Sequence, residues 1–343
     1  MTLAATQHPF ETLTPDTVLD ALTEVGLWGD GRLTALNSFE NRVYLAHLEE
    51  PVEGHNAVVL KFYRPQRWTE AQILEEHAFA LELAADEVPV VPPLTLKGQT
   101  LHRHQDFLYS VSPCKGGRRP ELDDLDVLEW VGRFVGRIHA VGQRQSFQHR
   151  PALTRQTLAD DPSQWLARHE AVPLDIRSRW EDTLSQALAV LNRVAPELGD
   201  PSAALTTLRL HGDCHPGNVL WTPTDLPDGG PHFVDLDDAR TGPAVQDLWM
   251  LLPGGDRREQ TLGLSALLDG YEQFRAFDRD ELRLIEPLRT LRQIHYSAWL
   301  ASRWQDPIFP VNFPWFGSST YWAGQIHQLE EQMEAMQGPP LQV

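Results

Sequence analysis

A chain of 343 residues with 41% hydrophobic residues is long enough for two domains, or one lobed domain, with an ample core, and its ordinary apolar share excludes a disordered protein. Acidic residues outnumber basic ones by 48 to 29, giving a net charge of −19 without any basic block, which speaks against a nucleic-acid binder. No apolar run reaches the length of a membrane span, the polar start (residues 1–15) lacks the apolar core of a signal peptide, and the two cysteines, Cys114 and Cys214, suit a reducing cytoplasm without a disulfide framework.

The first predicted helix covers 15–25, with Thr14 as N-cap and Pro15 at the first helical position. Residues 35–48 read as two β-type pieces around a turn at 37–41, and a polar turn at 49–56 leads into a strand that contains Lys61. The turn Asn37-Ser38-Phe39-Glu40-Asn41 has no glycine, unlike the common phosphate loops. A loop between strands can still offer backbone N–H groups and the Ser38 hydroxyl to phosphate oxygens; taken alone it reads equally well as a hairpin turn with a capping serine.

Lys61 lies in an otherwise apolar strand, where an ammonium needs a counter-charge or an exposed edge. The predicted helix 68–85 supplies a partner. It opens on a Thr69-x-x-Gln72 capping box, and Ile73, Glu76, Ala80 and Leu83 fall on one apolar stripe, while Glu75 projects from a neighbouring, more polar face. Phase therefore selects Glu76 to face Lys61. Prolines at 89, 92 and 93 end the helix, a strand follows at 107–113, and the Pro/Gly-rich stretch 113–118 reads as a hinge.

Beyond the hinge the chain is mainly helical. Helices are expected at 124–143, where Gly132 and Gly136 permit close packing, at 163–170, 174–194, 257–277, 279–304 and 319–337. His139 reads as a packed or capping histidine. The aromatic insert 306–315 reads as packing between helices that could also border a substrate cleft.

One stretch interrupts the helices. His211-Gly-Asp213-x-His215-x-x-Asn218 runs into the apolar residues 219–221; a Pro/Asp/Gly-rich turn at 223–230 follows, and the chain returns through Phe233-Val-Asp235-x-Asp237-Asp238. This reads as a hairpin with Asp213 and Asn218 on its entering loop and Asp235 on its returning strand. Phosphoryl transfer needs this set: a carboxylate to take the proton of the nucleophile, and an amide with a second carboxylate to hold Mg²⁺ on phosphates. Asp237, two residues on, could face the same side as a further ligand. Zinc at His211, Cys214 and His215 is disfavoured, because the ligands are too crowded in sequence.

The block resembles the catalytic and metal-binding segments of the aminoglycoside phosphotransferase and choline kinase group. Leu-Asn-Ser-Phe-Glu-Asn-Arg-Val-Tyr near residue 40, Val-Leu-Lys-Phe-Tyr-Arg-Pro near 61, Ile-Leu-Glu-Glu-His near 75 and Gln-Asp-Leu-Trp-Met-Leu-Leu near 248 extend the likeness to the bacterial stress response kinase A family over nearly the whole chain. The resemblance implies an α+β, bilobal protein-kinase-like fold: a small β-rich N-terminal lobe (1–112), a hinge (113–118), and a larger, mainly helical C-terminal lobe with the catalytic hairpin (119–343). It implies a cytoplasmic serine/threonine protein kinase of a stress response, using ATP and Mg²⁺. Asp213 is then the base, Asn218 and Asp235 the metal ligands, and Lys61, Glu76 and Ser38 the groups serving ATP. Asp247 would hold the backbone of the Asp213 loop, beside a simpler role at a helix N-terminus.

The expected partners are ATP and a polypeptide bearing a Ser or Thr acceptor, the protein itself included. A monomer is expected, with neither nucleic acid nor membrane as partner. The core motifs equally permit a kinase of amino alcohols, sugars or aminoglycosides. A non-catalytic nucleotide-binding scaffold fits less well, since it would not need the base.

Overall fold

The computed structural model describes residues 8–199 and 205–343; the first seven residues of the polar start lie outside the described residues. The chain divides into two compact units. The first comprises Met1–Pro120, Gln148–Arg150 and Pro216–Asp238, and the second Glu121–Phe147, Pro151–His215 and Ala239–Val343. One is organised on an antiparallel sheet and the other is mainly helical, so the chain is an α+β protein.

In the first unit five strands lie in the order Gly29–Ala35, Arg42–Val52, His55–Phe62, Phe107–Pro113, His102–His104, each antiparallel to its neighbour. Alternation decides what each face does. Val58, Leu60 and Phe62 are fully buried, with Ala46, Tyr109 and Val111, and Val18, Ala21 and Leu22 of the helix Pro15–Glu24 join the same core. Phe62 stacks on Tyr109 at 5.3 Å, and the Tyr109 hydroxyl donates to the Ala21 carbonyl at 2.6 Å. Each such apolar side chain contributes about 1.5–3 kcal/mol by leaving water. Lys61, one residue out of phase, is thereby turned to the opposite face of the sheet.

The second hairpin is tighter than the polar residues 49–56 suggest. Its strands run to Val52 and from His55, and only Glu53 (φ +48°) and Gly54 (φ +83°) form the loop, both in the left-handed region that a two-residue turn requires. The first strand also begins earlier than expected, at Gly29, with Asp30 and Arg32 on its exposed edge. The helix Glu70–Ala85 carries the Thr69–Gln72 capping box and buries Ile73, Glu76, Phe79, Ala80 and Leu83.

The hairpin Val219–Thr222 with Gly230–Phe233 belongs to this first unit, whereas the sequence reading groups it with residues 119–343. Backbone bonds account for the difference. Phe233 exchanges bonds with Pro89 (2.8 Å) and Val91 (3.1 Å), and Trp221 does so with Arg118 (2.6 and 3.0 Å). A Cβ on Gly117 would lie 2.7 Å from the Leu220 Cβ, so that approach needs a glycine.

In the second unit the helices Leu125–Gly142 and Arg257–Tyr271 pack with their backbones almost touching. A Cβ on Gly132 would fall 2.0 Å from the Leu267 carbonyl oxygen, and one on Gly270 would fall 1.9 Å from that of Glu129. The helices Leu174–Val194 and Ser319–Gln337 meet through Trp180 and Trp322, 4.9 Å apart. Asp161–Arg168 is a further helix, Ile285–Arg303 follows a 3₁₀ turn at Arg279–Leu284, and the insert 306–315 holds the short helix Ile308–Asn312, whose Phe309 packs on Trp299 at 5.0 Å. Leu208–Leu210 pairs with Arg240–Gly242. Among the described residues no helix is long and apolar enough to cross a membrane.

Candidate active site

On the sheet face of the first unit away from its core, the Lys61 ammonium gathers carboxylates. Its Nζ lies 2.9 Å from Asp235 Oδ1, 3.3 Å from Asp237 Oδ1 and 3.5 Å from Glu76 Oε1. Burial works against that ammonium, but Asp235, Asp237 and Glu76 outweigh it and hold its pKa well above the ordinary value. Burial pushes the Glu76 carboxyl upward, with Lys61 pulling the other way. Helix phase thus brings Glu76, not Glu75, to the lysine.

Asp235 does not lie on the returning strand. It follows that strand with φ +62°, a conformation that costs most residues about 1–3 kcal/mol and that aspartate tolerates better than most. Asp237 is likewise not on a strand face but in the 3₁₀ turn Leu236–Asp238, buried, bonded to Arg67 and ion-paired with Lys61. Arg67 also donates to both oxygens of Asp238, at 2.9 and 3.0 Å. Burial raises the Asp237 carboxyl, yet Arg67 and Lys61 prevail and keep it below the usual range. Asp235 therefore differs from its neighbours, with 52% of its side chain exposed.

The Asn218 carbonyl accepts from Val234 N–H at 3.0 Å, which continues the hairpin ladder and sets Asn218 across from the residue before Asp235. Among the described residues no three of His, Cys, Asp and Glu are grouped to hold a metal by themselves. One exposed carboxylate and one amide oxygen instead suit a hard divalent cation that brings phosphate oxygens with it. Ser38 closes its own turn: its hydroxyl donates to the Leu36 carbonyl (3.3 Å) and accepts from Val43 N–H (3.2 Å).

Asp213 and His215 belong to the second unit. Arg292, on the helix Ile285–Arg303, donates to Asp213 Oδ1 at 2.6 Å, and His215 Nε2 is 3.5 Å from Oδ2. The loop backbone is held by Asp247, which is fully buried and accepts from His211 N–H (2.8 Å) and Gly212 N–H (2.9 Å). The helix that carries it, Gln246–Trp249, is a single turn, so the backbone bonds matter more than any helix dipole.

Behind Asp247 lies a chain of donors. Arg275 donates to the Tyr271 hydroxyl (2.8 Å), which pairs with His139 Nδ1 (2.9 Å), and His139 Nε2 pairs with Asp247 Oδ2 (3.1 Å). Burial holds the His139 pKa down despite Asp247, so the ring is neutral and carries one N–H. The carboxylate can only accept, which assigns that proton to Nε2 and the Tyr271 proton to Nδ1. Asp247 is raised by burial, but the bond from His139 and the backbone donors win and keep it ionised.

Glu281 braces the same segment by accepting from Val245 N–H at 2.8 Å, and burial pushes its carboxyl up to about 7 from an ordinary 4.5. A folded-state pKa above the unfolded one gives stability that is complete below pH 4.5 and lost as pH rises through about 7. Glu281→Gln should therefore flatten the fall in unfolding free energy across that window. Denaturant melts of both proteins at several pH values check this; equally steep falls would contradict it.

The profile of the phosphotransferase enzyme family matches residues 32–285. Over 334 residues the chain is 47% identical to stress response kinase A of Escherichia coli (strain K12), with 97% of each chain covered. It is 45% identical over 337 residues to serine/threonine protein kinase RdoA of Salmonella typhimurium, again with 97% of each covered. Among solved structures it is similar to amicoumacin kinase hAmiN in complex with AMP-PNP, Ca²⁺ and Ami, with TM-score 0.69 and 18% identity over 95% of this chain and 94% of that one, a likeness of fold. The chain thus belongs to the phosphotransferase enzyme family, in its stress response kinase A group, and is a kinase.

Proposed function

We propose that this kinase transfers the γ-phosphate of ATP, with Mg²⁺, to a Ser or Thr hydroxyl of a polypeptide in a bacterial stress response. The observation that carries the transfer chemistry is the Lys61 ammonium held by Glu76 and Asp235 on one sheet face. An ammonium fixed by a buried carboxylate is preorganised to donate to phosphate oxygens. Asn218 and Asp235 would hold Mg²⁺, which when bound neutralises charge on the phosphates. Asp213 accepts the hydroxyl proton as the acceptor oxygen bonds to phosphorus and the bridge to ADP breaks. Backbone groups of residues 113–118 meet the adenine.

Arg292 bears on the acceptor. A guanidinium bonded to the base opposes a cationic amino alcohol or aminoglycoside there and tolerates a neutral side-chain hydroxyl. The name of the Salmonella typhimurium relative, a serine/threonine protein kinase, supports the same reading of a protein substrate. Steady-state kinetics test the choice. The kcat/KM for Ser- or Thr-containing peptides should exceed that for choline-like and aminoglycoside acceptors, and Arg292→Glu should narrow the gap. A wild-type preference for the cationic alcohols would overturn the polypeptide reading.

A further inference from the structure

A three-residue segment of the first unit, Gln148–Arg150, touches the nucleotide-side machinery on two sides of one helix. Glu75, half-buried on the helix Glu70–Ala85, accepts three consecutive N–H groups: Gln148 on Oε1, and His149 (2.9 Å) and Arg150 (2.8 Å) on Oε2. Gln72 adds a bond from its side chain to the His149 carbonyl at 3.0 Å. The Arg150 side chain then runs inward, wholly buried. Its Nη1 reaches the Gln72 carbonyl (3.4 Å) and lies 3.6 Å from Glu76 Oε2, its Nη2 donates to the Asp237 carbonyl, and its guanidinium sits 4.4 Å from the Trp68 ring centre.

The segment is thus gripped by its backbone at Glu75 and spends its side chain on Glu76 and the turn after Asp235. Successive N–H groups converge on one carboxylate only when the backbone is bent to aim them together, and charge-assisted bonds of this kind are about twice as strong as neutral ones. Burial raises the Glu75 carboxyl, but the N–H groups of Gln148, Arg150 and His149 outweigh it and leave the carboxyl below its usual range.

We propose that Glu75 and Arg150 are positioning residues: Glu75 fixes the segment, and Arg150 keeps Glu76 on Lys61 and the Leu236–Asp238 turn in register with Asp235. The proposal rests on the nucleotide-site reading above and assigns a role to the carboxylate that helix phase alone leaves on the polar face. Arg150 neutralises the second oxygen of Glu76, so Lys61 meets a carboxylate with one orientation.

Calorimetric titration with Mg·AMP-PNP tests this without any acceptor. Glu75→Ala and Arg150→Ala should each weaken nucleotide affinity about tenfold, as loss of an outer-shell partner does, and the double variant should be little worse than either. Glu75→Gln, which keeps one acceptor oxygen, should recover part of the affinity. If an alanine variant fails to fold, Glu75→Gln and Arg150→Lys carry the test, with a smaller loss expected. Wild-type affinity in folded Glu75 and Arg150 variants, or losses that simply add, would overturn the proposal even if melting temperatures fall. Lys61→Ala is the reference: a loss there with none at Glu75 strikes the clamp alone, whereas no loss at Lys61 overturns the nucleotide-site reading and the clamp with it.

Discussion

Replacing Asp213 by alanine should lower turnover roughly a hundredfold or more, as expected for loss of a general base, while Mg·ATP binds almost as tightly as before. The carboxylate is held by Arg292, and its loop backbone by Asp247, so its surroundings serve orientation more than nucleotide binding. Phosphoryl transfer through a loose transition state asks for just that, since positioning supplies much of the acceleration and the base needs no unusual pKa. Asp235→Ala should behave differently, losing both Mg·ATP affinity and turnover, because Asp235 is the exposed carboxylate next to Lys61. Calorimetry beside single-turnover kinetics separates the two. If Asp213→Ala loses nucleotide binding as completely as Asp235→Ala, the division of roles is wrong.

Lys61→Ala is expected to be more damaging to the fold. It leaves Asp235, Asp237 and Glu76 without their shared cation, and breaking a buried ion pair from one side costs about 3–5 kcal/mol. Activity should fall by about a hundredfold, with KM for ATP raised, since the group proposed to meet the phosphates is gone. Glu76→Ala should weaken activity in the same way, though Asp235 and Asp237 still hold the ammonium. The double variant should be far less than additive, because both act through one contact. Denaturant unfolding and initial rates on the four proteins of the cycle measure this. Additive losses would mean that Lys61 and Glu76 work separately.

Elements governed by local signals were legible in the sequence. The helix Leu174–Val194, the helix Ser319–Gln337 and the strand Phe107–Pro113 lie where periodicity and flanking prolines set them, and the Thr69–Gln72 box marks the helix that turns Glu76 toward Lys61. Phase is a local property, so one helical repeat sufficed to choose between Glu75 and Glu76. The turn at Glu53–Gly54 was less legible, because Glu49 and Glu50 look like loop yet continue an exposed strand end. The left-handed backbone of Asp235 left no trace either, since aspartate adopts both conformations.

The arginines of the candidate site were missed altogether. Arg67, Arg150 and Arg292 meet Asp237, Glu76 and Asp213 across 170, 74 and 79 residues of chain, and no spacing rule connects positions so far apart. Arg67, six residues after Lys61, had the nearest thing to a signal: the third cation, after Lys61 and Arg64, of a short basic run, to set against the consecutive Asp237 and Asp238. His139 gave a packed histidine by composition; only the fold shows that its ring links Tyr271 to Asp247 and so steadies the loop of Asp213.

The central claim is that Asp213 directs the γ-phosphate of ATP onto a polypeptide hydroxyl, and one measurement tests it most directly. The protein is incubated with γ-labelled ATP, Mg²⁺, and a generic basic protein, and the labelled polypeptide, including the enzyme itself, is hydrolysed and its phosphoamino acids separated. Phosphoserine or phosphothreonine without phosphotyrosine is predicted for the wild type and no label for Asp213→Asn. The contradicting result is unlabelled polypeptide from an enzyme that efficiently phosphorylates an amino alcohol or sugar under the same conditions.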